Sequence, residues 1–316
     1  MKKKIIYCLE LTGMAGGHRV VFEHIKLLAA RGWEVELFAM SRPQWCQLDI
    51  PITIVTSYSV MQEMLEKEGD VIKVATWWKT QKPVFESCKK GGGTPVYFVQ
   101  DIEQSYYEGD PVMQQLAMNS YEKSMKYITT SDWNVKQLNK LGIKPEKINP
   151  AINHNVFKPD NVVARQPAQT LYCQRNHFLK NLPLATKIVD LIGTGENDFV
   201  SWGLARLYSE TTVFLSTSRH EGFNLTILEA MACGAVVVTT NADGNMEYCL
   251  NKTNCLMIED TGDGKLAENM AEAIQKLIKN KDLRDFIQAE AVETAKRFNY
   301  GRMGFELDNY YEKLCK

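Results

Sequence analysis

Arg219-His220-Glu221-Gly222-Phe223-Asn224-Leu225-Thr226-Ile227-Leu228-Glu229-Ala230-Met231-Ala232-Cys233-Gly234 is the stretch on which the fold turns. It follows the apolar run Val213–Ser216, which reads as a buried strand, and precedes a second one, Ala235–Thr239. Between them Leu225–Cys233 has helical spacing, and Gly234 closes it. Strand, loop, helix and strand in this order form one unit of a doubly wound parallel sheet. Glu221 falls in the loop and Glu229 inside the helix, with seven residues between them. A helix starting near Asn224 aims unpaired N–H groups and its positive dipole end at whatever occupies that loop, and a diphosphate suits the position. One carboxylate can hydrogen-bond sugar hydroxyls, and the other can accept both hydroxyls of a ribose. A bare pair of glutamates at this spacing is common; its setting between two strands is what points to a ligand.

Working outward, a second stretch is Leu171-Tyr172-Cys173-Gln174-Arg175-Asn176-His177-Phe178-Leu179-Lys180-Asn181. A strand, Thr170–Cys173, ends here, and Arg175 and Lys180 flank the turn into a helix over Leu182–Leu191. A planar guanidinium and a compact ammonium together can neutralise a departing diphosphate; read alone, they are two solvated cations. No DxD motif stands out, so the expectation is a site without metal. Leu204–Tyr208 completes a short helix, and Leu266–Lys279 and Leu283–Arg297 are amphipathic helices.

The first half alternates in the same way. Lys4–Leu9 and Val35–Ala39 are strand candidates on either side of a helix over Val20–Ala30 that Arg31-Gly32 ends. Further strands are expected at Ile52–Val55, Val71–Ala75, Val96–Val99 and Tyr127–Thr130, and a helix over Asp132–Leu141 stopped by Gly142. Gly13-Met14-Ala15-Gly16-Gly17 forms a loop after the first strand, where Gly16 and Gly17 let backbone approach a phosphate or sugar closely; a simple strand–helix turn reads equally from it. Gln100 and Asp101 lie just past the end of a buried strand, at the edge where open α/β sheets hold ligands, and Asp101 can equally cap a helix. Between Asn149 and Gln169 the pattern is lost, and Pro150, Pro159 and Pro167 mark a linker.

The 316 residues exceed what one ordinary core holds, so two domains are expected. A formal net charge of -1 gives no general affinity for nucleic acid. Eight cysteines contain no CxxC pair and no zinc spacing with the five histidines, which fits reduced thiols of the cytosol. The apolar run after Lys2-Lys3-Lys4 ends at Glu10, too short for a secretion signal, and no run reaches bilayer length.

The constellation resembles the retaining glycosyltransferases of the GT-B fold, in the large family-four group. The likeness runs from Gly16–Val20 through Arg175–Asn181 and Glu221–Gly234 to Asp243–Tyr248, and its opening segment looks closest to bacterial polysaccharide enzymes such as rhamnosyltransferases. The resemblance implies an α/β fold of two Rossmann-like domains facing an interdomain cleft. They would be an acceptor domain over 1–160 and a shortened donor domain over 165–300, with a helix over 301–316 crossing back to the first. It implies Arg175 and Lys180 on the donor diphosphate, Glu229 on the ribose, and Glu221 with the backbone of Gly222, Phe223, Asn224 and Leu225 on the transferred sugar. Gly16 and Gly17 would sit against phosphates or acceptor, and Gln100 and Asp101 near acceptor or sugar. No cofactor is implied beyond the nucleotide diphosphate-sugar co-substrate. The implied acceptor is a saccharide or a lipid-linked one, reached in the cytoplasm with peripheral contact at the inner membrane face. In this family the acceptor attacks on the face the diphosphate leaves, and the leaving phosphate takes its proton. Competing readings are a non-catalytic sugar-nucleotide-binding subunit and another GT-B nucleotide-sugar enzyme such as a 2-epimerase.

Three positions depart from the family pattern: Asn224 stands for the usual Gly, Thr226 for Pro, and Gln100 where His is frequent. Asn tolerates the left-handed region better than most residues. Between Lys180 and Leu204 the chain is also short, since the family has a helix, two strands and a long loop there.

Overall fold

The computed structural model describes residues 2, 4–122, 124–160, 165, 169–172, 178–192 and 203–316. Two compact units divide the chain, one of Met1–Pro150 with Tyr300–Lys316 and one of Ala151–Asn299.

The first unit runs β1 (Ile5–Leu9), α1 (Gly16–Ala29), β2 (Val35–Ala39), β3 (Ile52–Ile54), α2 (Tyr58–Lys67), β4 (Ile72–Ala75), α3 (Trp78–Gly91), β5 (Thr94–Val99), α4 (Pro111–Met118), β6 (Lys126–Thr129), α5 (Asp132–Lys140) and β7 (Glu146–Lys147). Its seven strands are ordered β3-β2-β1-β4-β5-β6-β7, and every pairing is parallel. A parallel sheet buries both faces, so its central strands are continuous apolar runs: all five residues of β1 and of β2 are buried. Chain order reverses between β1 and β4, which is the topological switch point. Helices α1 and α5 end as their glycines announce. Trp33 N–H bonds Leu28 O while Gly32 N–H bonds Ala29 O, and Ile143 and Gly142 repeat the arrangement on Leu138 and Asn139. Gly32 and Gly142 take the positive φ that this closure requires.

Helix α1 begins at Gly16, so the glycine-rich loop expected through Gly17 is shorter than the sequence indicates and its last two residues open the helix. Burial of Val20, Val21, Phe22, Ile25 and Leu28 along one face outweighs the poor helix propensity of two glycines.

The second unit contains β8 (Thr170–Tyr172), α6 (Leu182–Ile192), α7 (Leu204–Glu210), β9 (Val213–Ser216), α8 (Leu225–Ala232), β10 (Val236–Thr240), β11 (Leu256–Ile258), α9 (Leu266–Lys279) and α10 (Lys281–Lys296). Four parallel strands lie in the order β11-β10-β9-β8, and among the described residues no strand falls between α6 and α7. The stretch expected as a linker is packed in part: Ile152 and Phe157 enter the same core as Phe214, Phe223 and Ile227, and Ile152 N–H bonds Phe298 O. Helix α11 (Tyr300–Leu314) belongs to the first unit, where Tyr311 Oη meets Tyr7 Oη at 2.9 Å and Asp308 accepts from Trp33 Nε1 at 2.7 Å.

Candidate active site

In the second unit, β9 delivers the loop 217–224 at its carboxyl end, and α8 carries the chain back. The loop is stitched to the turn after β8. Thr217 Oγ1 donates to the carbonyls of Lys180 and Asn181 at 3.0 and 3.2 Å, and Arg219 N–H bonds Leu179 O at 2.8 Å. These bonds bring together two side chains 41 positions apart: Lys180 Nζ donates to Glu221 Oε1 in an ion pair that is mostly buried. The same carboxylate oxygen accepts from Ser218 Oγ at 2.6 Å. A fixed cation and a fixed carboxylate therefore meet in the loop that leads into α8.

Asn224 starts that helix from the left-handed region, at φ +67° and ψ +73°, as its residue type allows. Its side chain turns inward, donating to Asn245 Oδ1 at 3.1 Å and Ser216 Oγ at 3.3 Å and accepting from Thr226 Oγ1 at 2.6 Å. The Asn224 carbonyl accepts from Tyr248 Oη. No side chain caps α8, so its first-turn N–H groups face the loop with the positive dipole end behind them. Asn224 and Thr226, two of the three departures from the family pattern, thus bond each other and fix the entry to the helix.

Segment Asp243–Glu247 closes the loop from behind. Gly244 N–H bonds Glu221 O at 2.8 Å, and a Cβ on Gly244 would stand 2.4 Å from the Gly222 carbonyl, so only glycine fits there. His220 Nδ1 lies 2.7 Å from Asp243 Oδ2, and Asp243 holds a positive φ of 24°. Asn245, fully buried, donates to Thr239 Oγ1 and Thr240 O. Below, the rings of Phe223, Tyr248 and Phe298 pack at 5.3–5.7 Å.

Of the residues expected at the site, Lys180, Glu221, Gly222, Phe223, Asn224, Leu225 and Glu229 all lie in the second unit, on the stitched turn, the loop or α8. Glu229 is 1% exposed. Arg175 lies outside the described residues. Gly16, Gly17, Gln100 and Asp101 lie in the first unit at the carboxyl edge of its sheet. There a Cβ on Gly17 would meet the Gln100 side chain at 3.2 Å, and the Gln100 carbonyl accepts from Thr130 Oγ1 and Asn134 Nδ2. Asp101 does not cap a helix, since Ile102 is the N-cap of the short helical turn 103–107 and no side chain caps it; instead Asp101 Oδ1 accepts from Ile102 N–H at 2.7 Å and Oδ2 from Tyr106 Oη at 3.0 Å. Sequence reasoning did not anticipate the bond from Ser218 to Glu221 or the His220–Asp243 pair. The only prior signal was that these residues border the two matching motifs. Among the described residues, no three His, Cys, Asp or Glu side chains converge as a metal site.

Comparison with known proteins adds three findings. Residues 179–280 match the family model described as glycosyl transferases group 1. Among curated relatives, a protein of Sulfolobus islandicus filamentous virus with the provisional name glycosyltransferase 41 is 27% identical over 219 residues, 57% of this chain and 65% of its own length. The capsular polysaccharide biosynthesis glycosyltransferase CapM of Staphylococcus aureus is 30% identical over 34% of this chain and 28% of its own. The chain thus spans less than two thirds of the curated relatives it matches. Among solved structures, HepE of Anabaena in complex with UDP-glucose superposes with a TM-score of 0.82 at 14% identity, covering 98% of this chain and 100% of that one. The fold is the α/β fold of GT-B glycosyltransferases, with parallel sheets.

Proposed function

We propose that this chain is a metal-independent, retaining glycosyltransferase that moves a sugar from a nucleoside diphosphate-sugar to an acceptor hydroxyl. One observation carries the reading: Lys180 is paired to Glu221 in the loop that leads into α8, a helix whose N-cap makes no side-chain bond. An ammonium and a row of helix-end N–H groups form a receptor for the charge that grows on a departing diphosphate. Glu221, held by Lys180 and Ser218, is oriented to accept from hydroxyls of the transferred sugar, with the backbone of Gly222–Leu225 beside it. Glu229, a helical turn further in, receives the ribose hydroxyls. Arg175 adds a second cation to the diphosphate on the strength of sequence alone. Gly16 and Gly17 serve phosphates or acceptor, and Gln100 and Asp101 the acceptor side.

Attack by the acceptor on the face that the diphosphate leaves gives retention of configuration, and the leaving phosphate beside it takes the acceptor proton, so no separate base is required. The match to the group 1 family model, and the naming of relatives for glycosyl transfer and capsule synthesis, support glycosyl transfer in polysaccharide assembly; a saccharide or lipid-linked acceptor met at the cytoplasmic membrane face completes the proposal. No helix among the described residues is long and apolar enough to cross a membrane. The competing readings, a non-catalytic sugar-nucleotide-binding subunit and a 2-epimerase, are not favoured by the match to a glycosyl transferase family model.

The test is incubation with a panel of nucleotide-sugars, following nucleoside diphosphate by chromatography with and without excess chelator. Slow release from one donor, undiminished by chelator, is the expected result. Binding without release indicates a binding subunit. A requirement for magnesium or manganese removes the metal-free mechanism. Nuclear magnetic resonance of the glycosylated product then reads the anomeric configuration, expected to match the donor's.

A further inference from the structure

The carboxyl edge of the first unit's sheet carries a feature that donor chemistry does not use. Strand β4 leads into Trp77 and Trp78, and β5 into Tyr106 and Tyr107. The four rings form a row: Tyr106 meets Trp77 at 5.9 Å between centroids, Trp77 meets Trp78 at 6.4 Å, and Trp78 meets Tyr107 edge-on at 6.1 Å. All four side chains are only partly buried. Trp and Tyr rings that keep some exposure while their polar tips find partners are the side chains that recognition surfaces favour.

The row is braced from beneath. Asp101 accepts from Tyr106 Oη at 3.0 Å. Glu103, 3% exposed, accepts from the backbone N–H of Trp78 and from Tyr97 Oη. Thr80 Oγ1 accepts from Trp77 N–H and donates to Trp77 O, fixing the start of α3. Polar groups rim the rings. Trp78 Nε1 donates to Tyr107 Oη at 3.0 Å, and Lys79 places its Nζ over the Trp78 ring, 5.5 Å from the centroid, while pairing with Glu10 at 3.5 Å. Glu10 follows β1, so this pair bridges the switch point between β1 and β4, where open α/β sheets hold ligands.

We propose that the row from Tyr106 to Tyr107 is a saccharide subsite that stacks a pyranose ring of the acceptor, with Glu10 and Lys79 reading its hydroxyls. A pyranose presents C–H faces and a rim of hydroxyls, which matches aromatic faces bordered by a carboxylate and an ammonium. The assignment of this saccharide as acceptor rests on the glycosyltransferase reading.

The test uses the full chain labelled with 5-fluorotryptophan, and fluorine resonance assigns the Trp77 and Trp78 signals from Trp77→Phe and Trp78→Phe. The probes are the methyl pyranosides of glucose, galactose, mannose, rhamnose and N-acetylglucosamine, added without donor. At least one is expected to shift the Trp77 and Trp78 signals saturably while those of Trp33 and Trp133 stay in place, and Trp77→Ala is expected to abolish the shift at Trp78. Absence of a shift across the panel, or equal movement of all the signals, overturns the subsite. Should Trp77→Ala fail to fold, the wild-type titration decides alone. Since no donor is present, the outcome is independent of the nucleotide-release assay, and the two readings fail separately.

Discussion

Replacing Lys180 by Ala is expected to lower kcat/KM for sugar transfer at least about a hundredfold, close to 3 kcal/mol of transition-state stabilisation. The ammonium meets two demands in turn. Before the donor arrives it neutralises Glu221, in a pair where the side chains are 20% and 12% exposed. As the diphosphate departs it must answer charge that builds in a site lined by helix-end N–H groups, where little water screens it. Loss of the first role leaves the mostly buried Glu221 carboxylate without its cation, which costs stability on the order of 3 kcal/mol. Loss of the second appears only in turnover. Circular dichroism and a thermal melt on the variant separate the two: a native spectrum with a lowered but cooperative melt, and a hundredfold slower reaction at a temperature where the variant is fully folded, is the expected pair of results. Near-wild-type turnover would leave Lys180 a structural partner of Glu221 and nothing more.

A second large effect is expected in the first unit, in the pH dependence of stability. His24 lies in α1, fully buried, stacked on Phe98 at 4.5 Å, with Nδ1 3.5 Å from Tyr7 Oη and no hydrogen-bond partner at Nε2. Burial disfavours the imidazolium and pushes its pKa down from 6.5 to about 3. Between these values the unfolded chain binds a proton that the folded chain refuses. His24 therefore takes stability away as pH falls below 6.5, by about 1.4 kcal/mol per unit and on the order of 5 kcal/mol by pH 3. Glu103 acts with the opposite sign. Its burial raises the carboxyl pKa well above the ordinary range, so its cost grows as pH rises above 4.5. The difference between wild type and His24→Leu isolates the histidine, since Tyr7 Oη keeps its bond to Tyr311 Oη in the variant. In urea titrations from pH 7 to pH 5 the stability gap is expected to move in favour of the variant by about 1.4 kcal/mol per unit once below 6.5. A gap that stays constant would mean that His24 titrates as if solvated.

Much of the α/β framework is legible in the sequence because buried parallel strands are continuous apolar runs; Ile5–Leu9 and Val213–Ser216 leave little alternative. Helices α2 and α3 are not legible in that way. In α3 the buried positions are Thr80, Gln81, Pro83, Val84 and Ser87, and in α2 only Met61 and Leu65, so neither carries an apolar stripe to count. The site divides similarly. Glu221, Glu229 and Lys180 are legible as residue types in a strand–loop–helix setting. That Lys180 grips Glu221 is not, because the contact depends on Thr217 bonding two carbonyls of a turn 36 and 37 positions earlier. The inward bonds of Asn224 to Ser216, Asn245 and Thr226 likewise arise from tertiary packing, although its left-handed backbone follows from its residue type.

Crystals soaked in turn with uridine, guanosine and thymidine diphosphate give the most direct view of the donor site. One nucleotide is expected to bind with its β-phosphate within hydrogen-bond distance of Lys180 Nζ and the first-turn amides of α8, and with its ribose hydroxyls on Glu229. A diphosphate bound away from both, with the Lys180–Glu221 pair undisturbed, would contradict the account.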